Sequence, residues 1–318
     1  MASQLGVAII GLSGQAASAA VATVELARRG RSSRADLPLG DRPNLAPYSG
    51  FRFAGWDMKG GSVLDAAFRH EAVDPQKLGT IEAALRAVKP WPALTGDGGA
   101  PQGCSGEHKR GEITLRERIE CIQDDLDRFR QSVGGRAVAV NLSTPDFLTS
   151  RAAEAFQSRR ALEEALDQQD RKIGPAMLYA YAAIDCGVPF VDFTESPATC
   201  ASSIIDFAIE RGVPLAGRPR GTEPSFHRSA EAAPLVIEVT RLIDYAAAHG
   251  ARGTVETLSQ SLGQLSGLSR SKARAELDIF GSLKLWLREQ EARADEDGTS
   301  QAISLPDRRE QSAGVRLN

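Results

Sequence analysis

Short apolar runs alternate with amphipathic stretches along most of the chain. Gly6–Gly11 (GVAIIG) is continuous and β-branched, the pattern of a strand buried on both faces. The small residues of 14–29 then predict a helix stopped by Gly30. A Pro- and Gly-rich loop over 31–49 leads to a strand over Phe51–Asp57. Helices are predicted over Val63–His70 and Asp74–Val88, and 89–110 reads as a long loop. Thr114 and Glu117 form a capping-box pattern. Leu115, Ile119, Ile122, Leu126, Phe129 and Val133 then recur at four- and three-residue spacing, one apolar stripe of a helix ended by Gly134 and Gly135. Next come a strand at Ala137–Leu142, helices over about 151–168 and Pro175–Cys186, a strand at Val188–Phe193, a helix at Ser202–Arg211 and a strand at Val213–Ala216. Residues 217–233 form a polar connection. Pro234–His249 is amphipathic, and helices follow over Arg252–Leu262 and Ser271–Arg293.

This alternation predicts an α/β chain, a Rossmann-like doubly wound parallel sheet with C-terminal helices. The division it suggests is 1–216 for the nucleotide-binding domain, 217–233 for a short connection, 234–294 for helices packing on that domain, and 295–318 for a disordered tail.

Candidate chemistry begins at the first strand-to-helix turn. Gly11 and Gly14 permit a tight turn and close approach of backbone to a pyrophosphate, and the helix start offers unpaired N–H groups. The turn reads G-L-S-G-Q-A, with Ser13 where the dinucleotide fingerprint has its central glycine. Asp57 ends a predicted strand, where it would accept from ribose hydroxyls or serve as a cap or ion-pair partner. Asn141, Leu142, Ser143 and Thr144 follow another strand, at the end where such sheets place ligands; ordinary turn chemistry is the alternative.

Composition narrows the classes. Hydrophobic residues make up 42% and charged residues 25%, values of a soluble globular chain. The net charge of −3 offers no footprint for nucleic acid. Four cysteines and four histidines lie scattered without ligand spacing, so no metal site is expected and the thiols read as reduced. No apolar run approaches the roughly 18–20 residues that span a bilayer, and the N-terminus lacks the basic region of a signal peptide. The expectation is a cytoplasmic protein that does not engage membranes.

Several segments in fixed order resemble the bacterial branch of the inositol-3-phosphate synthase (myo-inositol-1-phosphate synthase) family. They are VAIIGLSGQAASAAVATVELARRG (7–30), FAGWD (53–57), VAVNLSTPD (138–146), LYAYAAIDCGVPFVDFTES (178–196), RGVPLAG (211–217) and AAPLVIEVTRLIDYAAAHGARGTVETL (232–258). The resemblance implies NAD as cofactor and cyclisation of glucose 6-phosphate to inositol 3-phosphate by oxidation, enolisation, intramolecular aldol closure and reduction. It implies that Gly11, Ser13, Gly14, Gln15 and Ser18 lie along the pyrophosphate. Asp57 would take the adenosine ribose, and Asn141, Ser143 and Thr144 would line the nicotinamide side.

The departures carry as much information. The family usually has Gly at position 13 and often Asn at 15. After VPLAG it continues into a lysine-bearing motif and a second domain with further catalytic lysines and much of the assembly surface. Here the stretch is GRPRGTEPSFHRS, without lysine, and about a dozen residues stand in place of that domain. Arg218, Arg220 and Arg228 would bind a substrate phosphate through forked hydrogen bonds, or be a solvated loop. Lysine combines an ammonium charge with the ability to exchange a proton, which arginine does poorly, so the catalytic residues are left unassigned. Three functions follow: a synthase-type isomerase on a sugar phosphate, a catalytically degenerate homologue acting as a regulatory or partner subunit, or a simple NAD-dependent oxidoreductase on a small polyol or sugar phosphate; the partner would be another subunit or a second copy of the chain.

Overall fold

Among the described residues, every strand runs parallel to its neighbours, in the order β3-β2-β1-β4-β5-β6-β7. The structure is a computed structural model, and it describes residues 4–33, 37–94, 113–143, 156–194, 196–218, 229–263 and 279–293. The strands are β1 (Leu5–Ile10), β2 (Phe51–Asp57), β3 (Trp91–Pro92), β4 (Ala137–Asn141), β5 (Phe190–Asp192), β6 (Pro214–Gly217) and β7 (Gly253–Thr254). The order turns at β1, with β2 on one side and β4 on the other. That is the switch point at which a doubly wound sheet opens a crevice above its carboxyl ends.

Side-chain alternation along β1 divides the core into two layers. Leu5, Val7 and Ile9 enter one apolar cluster, with α1 (Gln15–Arg28), α2 (Val63–Arg69), α3 (Pro75–Leu78), α4 (Glu82–Ala87), α9 (Ala233–Ala248), α10 (Glu256–Gly263) and the helix over 279–293. Ala8 and Ile10 enter the other, with α5 (Leu115–Ser132), α6 (Arg159–Asp167), α7 (Pro175–Asp185) and α8 (Ser202–Arg211). A period of two on a strand buried on both faces gives this three-layer stack. Gly55 in β2 has φ +151°, and a Cβ there would fall 2.0 Å from the Ile9 carbonyl oxygen, so only glycine fits opposite β1.

Some elements differ from the sequence expectation. The helix expected over 74–88 is two short helices, α3 and α4, parted by Gly79, Thr80 and Ile81. The loop expected over 89–110 opens with β3, because Trp91 packs edge-on against Trp56 with ring centroids 5.0 Å apart; residues 95–112 lie outside the described residues. The helix over about 151–168 is seen as α6, and 144–155 lie outside the described residues. Gly253 and Thr254, expected as helix, extend the sheet beside Pro214 and Leu215, so the C-terminal stretch contributes a strand as well as helices. The tail over 295–318 lies outside the described residues.

Candidate active site

A cleft of about 910 Å³ opens over the carboxyl ends of β1, β2, β4 and β5. This lies within the ~300–1,000 Å³ common for small-molecule sites. One wall is the turn from β1 into α1. Gly11 has φ +89°, and a Cβ there would meet the Leu142 and Ser143 backbone at 3.1 Å. The turn therefore lies against the end of β4 in a conformation that favours glycine. Gly14 is the N-cap of α1; no side chain caps the helix, and no acid sits in its first turn. Gln15, Ala16 and Ala17 all line the cleft, so this uncapped start presents its partial positive charge to it.

The side chains at 13 and 15 hold this turn in place. Ser13 N donates to Asp57 Oδ2 at 2.8 Å, and its hydroxyl donates to the Lys59 carbonyl at 3.4 Å. His70 Nε2 lies 3.1 Å from the Ser13 carbonyl oxygen. A carbonyl only accepts, so that nitrogen carries the proton. Gln15 Nε2 donates to the His70 carbonyl at 3.0 Å. Four contacts thus tie the turn to the end of β2 and the end of α2. Ser18 is fully buried, and its single hydroxyl proton is shared between the Gly14 and Gln15 carbonyls at 2.9 and 3.1 Å, bracing the first turn of α1 from inside. Asp57 Oδ1 accepts from Lys59 N at 2.9 Å, leaving each carboxylate oxygen one lone pair.

The opposite end of the cleft is a buried polar network. Asn141 and Asp192, at the ends of β4 and β5, are both fully buried, and Asn141 Nδ2 donates to Asp192 Oδ1 at 3.1 Å. Asn141 Oδ1 accepts from the Ser143 hydroxyl at 2.7 Å. Thr194 and Ser196 also donate their hydroxyls to Asp192. Burial pushes the Asp192 carboxyl up to about 6, against the lowering effect of these donors.

Comparison with known proteins places this geometry. The model of the myo-inositol-1-phosphate synthase family matches residues 37–273, about three-quarters of the chain. The chain belongs to that family. Its domain is the family's NAD-binding domain, and NAD is its cofactor. Inositol-3-phosphate synthase 1 of Bacteroides thetaiotaomicron is 25% identical over 235 residues, covering 68% of this chain and 54% of that protein. Inositol-3-phosphate synthase isozyme 1 of Arabidopsis thaliana is 24% identical, over 52% of this chain and 32% of that protein. The chain thus spans about half, or a third, of the relatives it matches. In fold it is similar to the inositol-3-phosphate synthase of Caenorhabditis elegans (TM-score 0.56, 14% identity, 70% of this chain and 50% of that one). It is also similar to a protein titled Ari2 (TM-score 0.51, 15% identity), over 81% of this chain and 91% of that one.

The cleft of this family member fits a dinucleotide. The glycine turn packs tightly against the end of β4, an uncapped helix start adjoins it, and Asp57 stands at the end of β2 with acceptor capacity to spare. Of the residues singled out from sequence, Gly11, Ser13, Gly14, Gln15, Asp57 and Ser143 line the cleft. Ser18 and Asn141 lie behind its surface. Thr144, Arg220 and Arg228 lie outside the described residues, and Arg218 is buried next to β6, its N–H donating to the Asp192 carbonyl at 3.1 Å.

Sequence reasoning missed Lys59, His70, Tyr179, Thr194 and Ser196, all in the cleft lining. Asp192 was findable: it ends a strand, the same signal that singled out Asp57. Tyr179 is buried, accepts from Leu94 N at 3.0 Å, and has its phenol pushed upward by burial, so it stays protonated. Among the described residues no group of three or more metal-ligating side chains occurs, and no helix is long and apolar enough to cross a membrane. Cys121 is disulfide-bonded, which corrects the expectation of four reduced thiols; Cys186 carries a half-buried thiol that desolvation pushes up to about 12.

Proposed function

We propose that this chain holds NAD in the cleft and works in the chemistry of its family on glucose 6-phosphate or a closely related sugar phosphate. Oxidation of a substrate alcohol, with hydride leaving the hydroxyl-bearing carbon and the hydroxyl proton passing to solvent, is the step we assign to this cleft. NAD supplies the hydride acceptor when bound. The glycine turn carries the reading: Gly11 stands at a φ of +89° that side chains rarely adopt, in tight approach to Leu142 and Ser143, beside a helix start that no side chain caps.

In this reading the backbone of Gly11–Gln15 and the first turn of α1 hold the pyrophosphate, with Ser13, Gln15 and Ser18 keeping that backbone in shape. Asp57 accepts from the adenosine ribose. Asn141 and Ser143 orient the nicotinamide end. Arg220 and Arg228 take the substrate phosphate; Arg218 is buried beside β6 and outside the cleft lining. Ring closure needs an ammonium group that stabilises developing oxyanions and exchanges protons. The lysine in the cleft lining is Lys59, which sits beside Asp57. We assign it to the adenosine end, so the lysine functions of the synthase step are unfilled among the described residues of this cleft.

Mass spectrometry of the denatured protein tests the cofactor, with release of bound NAD expected. Incubation with NAD and glucose 6-phosphate, followed by 31P and 1H NMR, tests the chemistry; a new oxidised or cyclised phosphate ester is expected. Absence of NAD together with no binding on titration would overturn the proposal.

A further inference from the structure

The inner end of the cleft has a polarity set by one buried carboxylate. An ionised carboxylate only accepts hydrogen bonds. Asp192 Oδ1 takes the Thr194 hydroxyl and backbone N–H at 2.7 and 2.8 Å and Asn141 Nδ2 at 3.1 Å; Oδ2 takes the Ser196 hydroxyl. With its amino group committed to Asp192, Asn141 turns its carbonyl oxygen toward Ser143. There it accepts the Ser143 N–H at 3.1 Å and hydroxyl at 2.7 Å. The hydroxyls of Ser143, Thr194 and Ser196 have therefore spent their single proton inward. Thr194 Oγ1 also accepts from Ser196 N at 3.2 Å and Asn141 Nδ2 at 3.4 Å, which uses its lone pairs. Ser196 Oγ accepts from Ala198 N at 3.3 Å and keeps one lone pair, while Ser143 Oγ keeps two. This end of the cleft has lone pairs to offer a ligand and no hydroxyl proton.

We propose that Asp192 is a specificity-determining positioning residue that, directly and through Asn141, holds Ser196 and Ser143 as acceptors, so that this end of the cleft takes the carboxamide NH2 of NAD and rejects a carboxylate in its place. The inference rests on the NAD reading above. A carboxamide brings two N–H donors to these lone pairs. A carboxylate brings only lone pairs of its own, with the buried charge of Asp192 behind them. Among the described residues, every hydrogen-bond donor to the Asp192 carboxylate is neutral, so a second carboxylate would face a negative charge with no cation bonded to it.

The test is calorimetric titration of nucleotide-free protein at pH 8 with NAD and with nicotinic acid adenine dinucleotide, which carries a carboxylate for the carboxamide. The acid analogue is expected to bind about 100-fold more weakly than NAD. Asp192→Asn supplies an amino group that must donate to a neighbouring hydroxyl, freeing a hydroxyl proton for the ligand. The preference should then shrink below about tenfold, mainly through tighter binding of the analogue. Ser143→Ala leaves Asp192 untouched; it should weaken NAD by about 3- to 10-fold and leave the analogue no weaker.

Equal affinity of the native protein for the two nucleotides overturns the inference while leaving NAD binding intact. So does an unchanged preference in folded Asp192→Asn. Failure of the folded native protein to bind NAD at all overturns the NAD reading, and this inference with it.

Discussion

Two carboxylates, Asp192 and Glu238, are wholly buried among the described residues, and they are compensated in opposite ways. Glu238 on α9 faces a cation: Oε2 accepts from Arg241 Nη1 at 2.9 Å, while Oε1 accepts from Tyr48 OH at 2.7 Å and Leu39 N at 3.0 Å. Arg241 goes on to donate to the carbonyls of Ala46 (2.9 Å) and Gly40 (3.0 Å) and lies 4.0 Å above the Tyr48 ring. The pair has charge balance and many partners, and it fastens the segment around residues 39–48 to α9, away from the cleft. Asp192 receives only neutral hydroxyl and amide donors, and it stands under the cleft. An ion pair fixes the chain, whereas a carboxylate held by neutral donors imposes a direction on every hydroxyl around it. The first arrangement makes structure, and the second sets the polarity of a site.

Breaking the ion pair should have the largest effect. Arg241→Ala leaves Glu238 buried without its cation, and such a loss costs about 3–5 kcal/mol. Urea denaturation should show it as a lower midpoint with unchanged slope. A loss below about 1 kcal/mol would mean that Glu238 finds another partner, and the contrast with Asp192 would fall.

Next comes the glycine turn. Gly11→Ala places a methyl 3.1 Å from the Leu142–Ser143 backbone at a φ of +89°. Strain of this kind costs on the order of 1–3 kcal/mol. Because the turn and the cleft wall are the same atoms, NAD affinity should drop about 100-fold. Full affinity in the alanine variant would place the nucleotide elsewhere.

Asp192 gives a smaller effect with a defined pH sign. Its carboxyl titrates near 6 in the fold, against about 3.9 for an unperturbed aspartate. A raised value means its contribution to stability is present in full below about pH 4 and is lost as pH rises through about 6. Asp192→Asn removes that loss. The stability of the variant relative to the native chain should therefore climb between pH 4 and about 6.5, by on the order of 1–3 kcal/mol. Parallel stability curves for the two proteins across that range would contradict the assignment.

What the sequence made legible follows from range. The β1 run, the turn at Gly11 and Gly14, and the stripe from Leu115 to Phe129 are local patterns, and each stands in the structure as read. Asp57 was found because a strand end is a local signal too. His70 was not, because it meets Ser13 across 57 residues and nothing in its neighbourhood marks it. Tyr179 sits in the helix run PAMLYAYAAID, whose apolar positions go all round, so periodicity gave no sign of the side that meets the cleft. The two-residue strands β3 and β7 were missed because pairing with a neighbouring edge, rather than their own sequence, makes them strands.

The same contrast of range explains Ser13 and Gln15, and it sets the last and smallest prediction. Read locally, both are departures that should weaken nucleotide binding. In the fold, Gln15 donates to the His70 carbonyl and His70 Nε2 donates to the Ser13 carbonyl, two bonds joining the same pair of segments. Each alone is worth about 0.5–1.5 kcal/mol. Gln15→Ala and His70→Ala should each lower NAD affinity less than about tenfold. Because either bond still tethers the turn when the other is cut, the double variant should lose more than the sum, with a coupling energy of at least about 0.5 kcal/mol. Strict additivity would mean that Gln15 contacts the nucleotide for itself, as its place in the family pattern implies, rather than through the turn it latches.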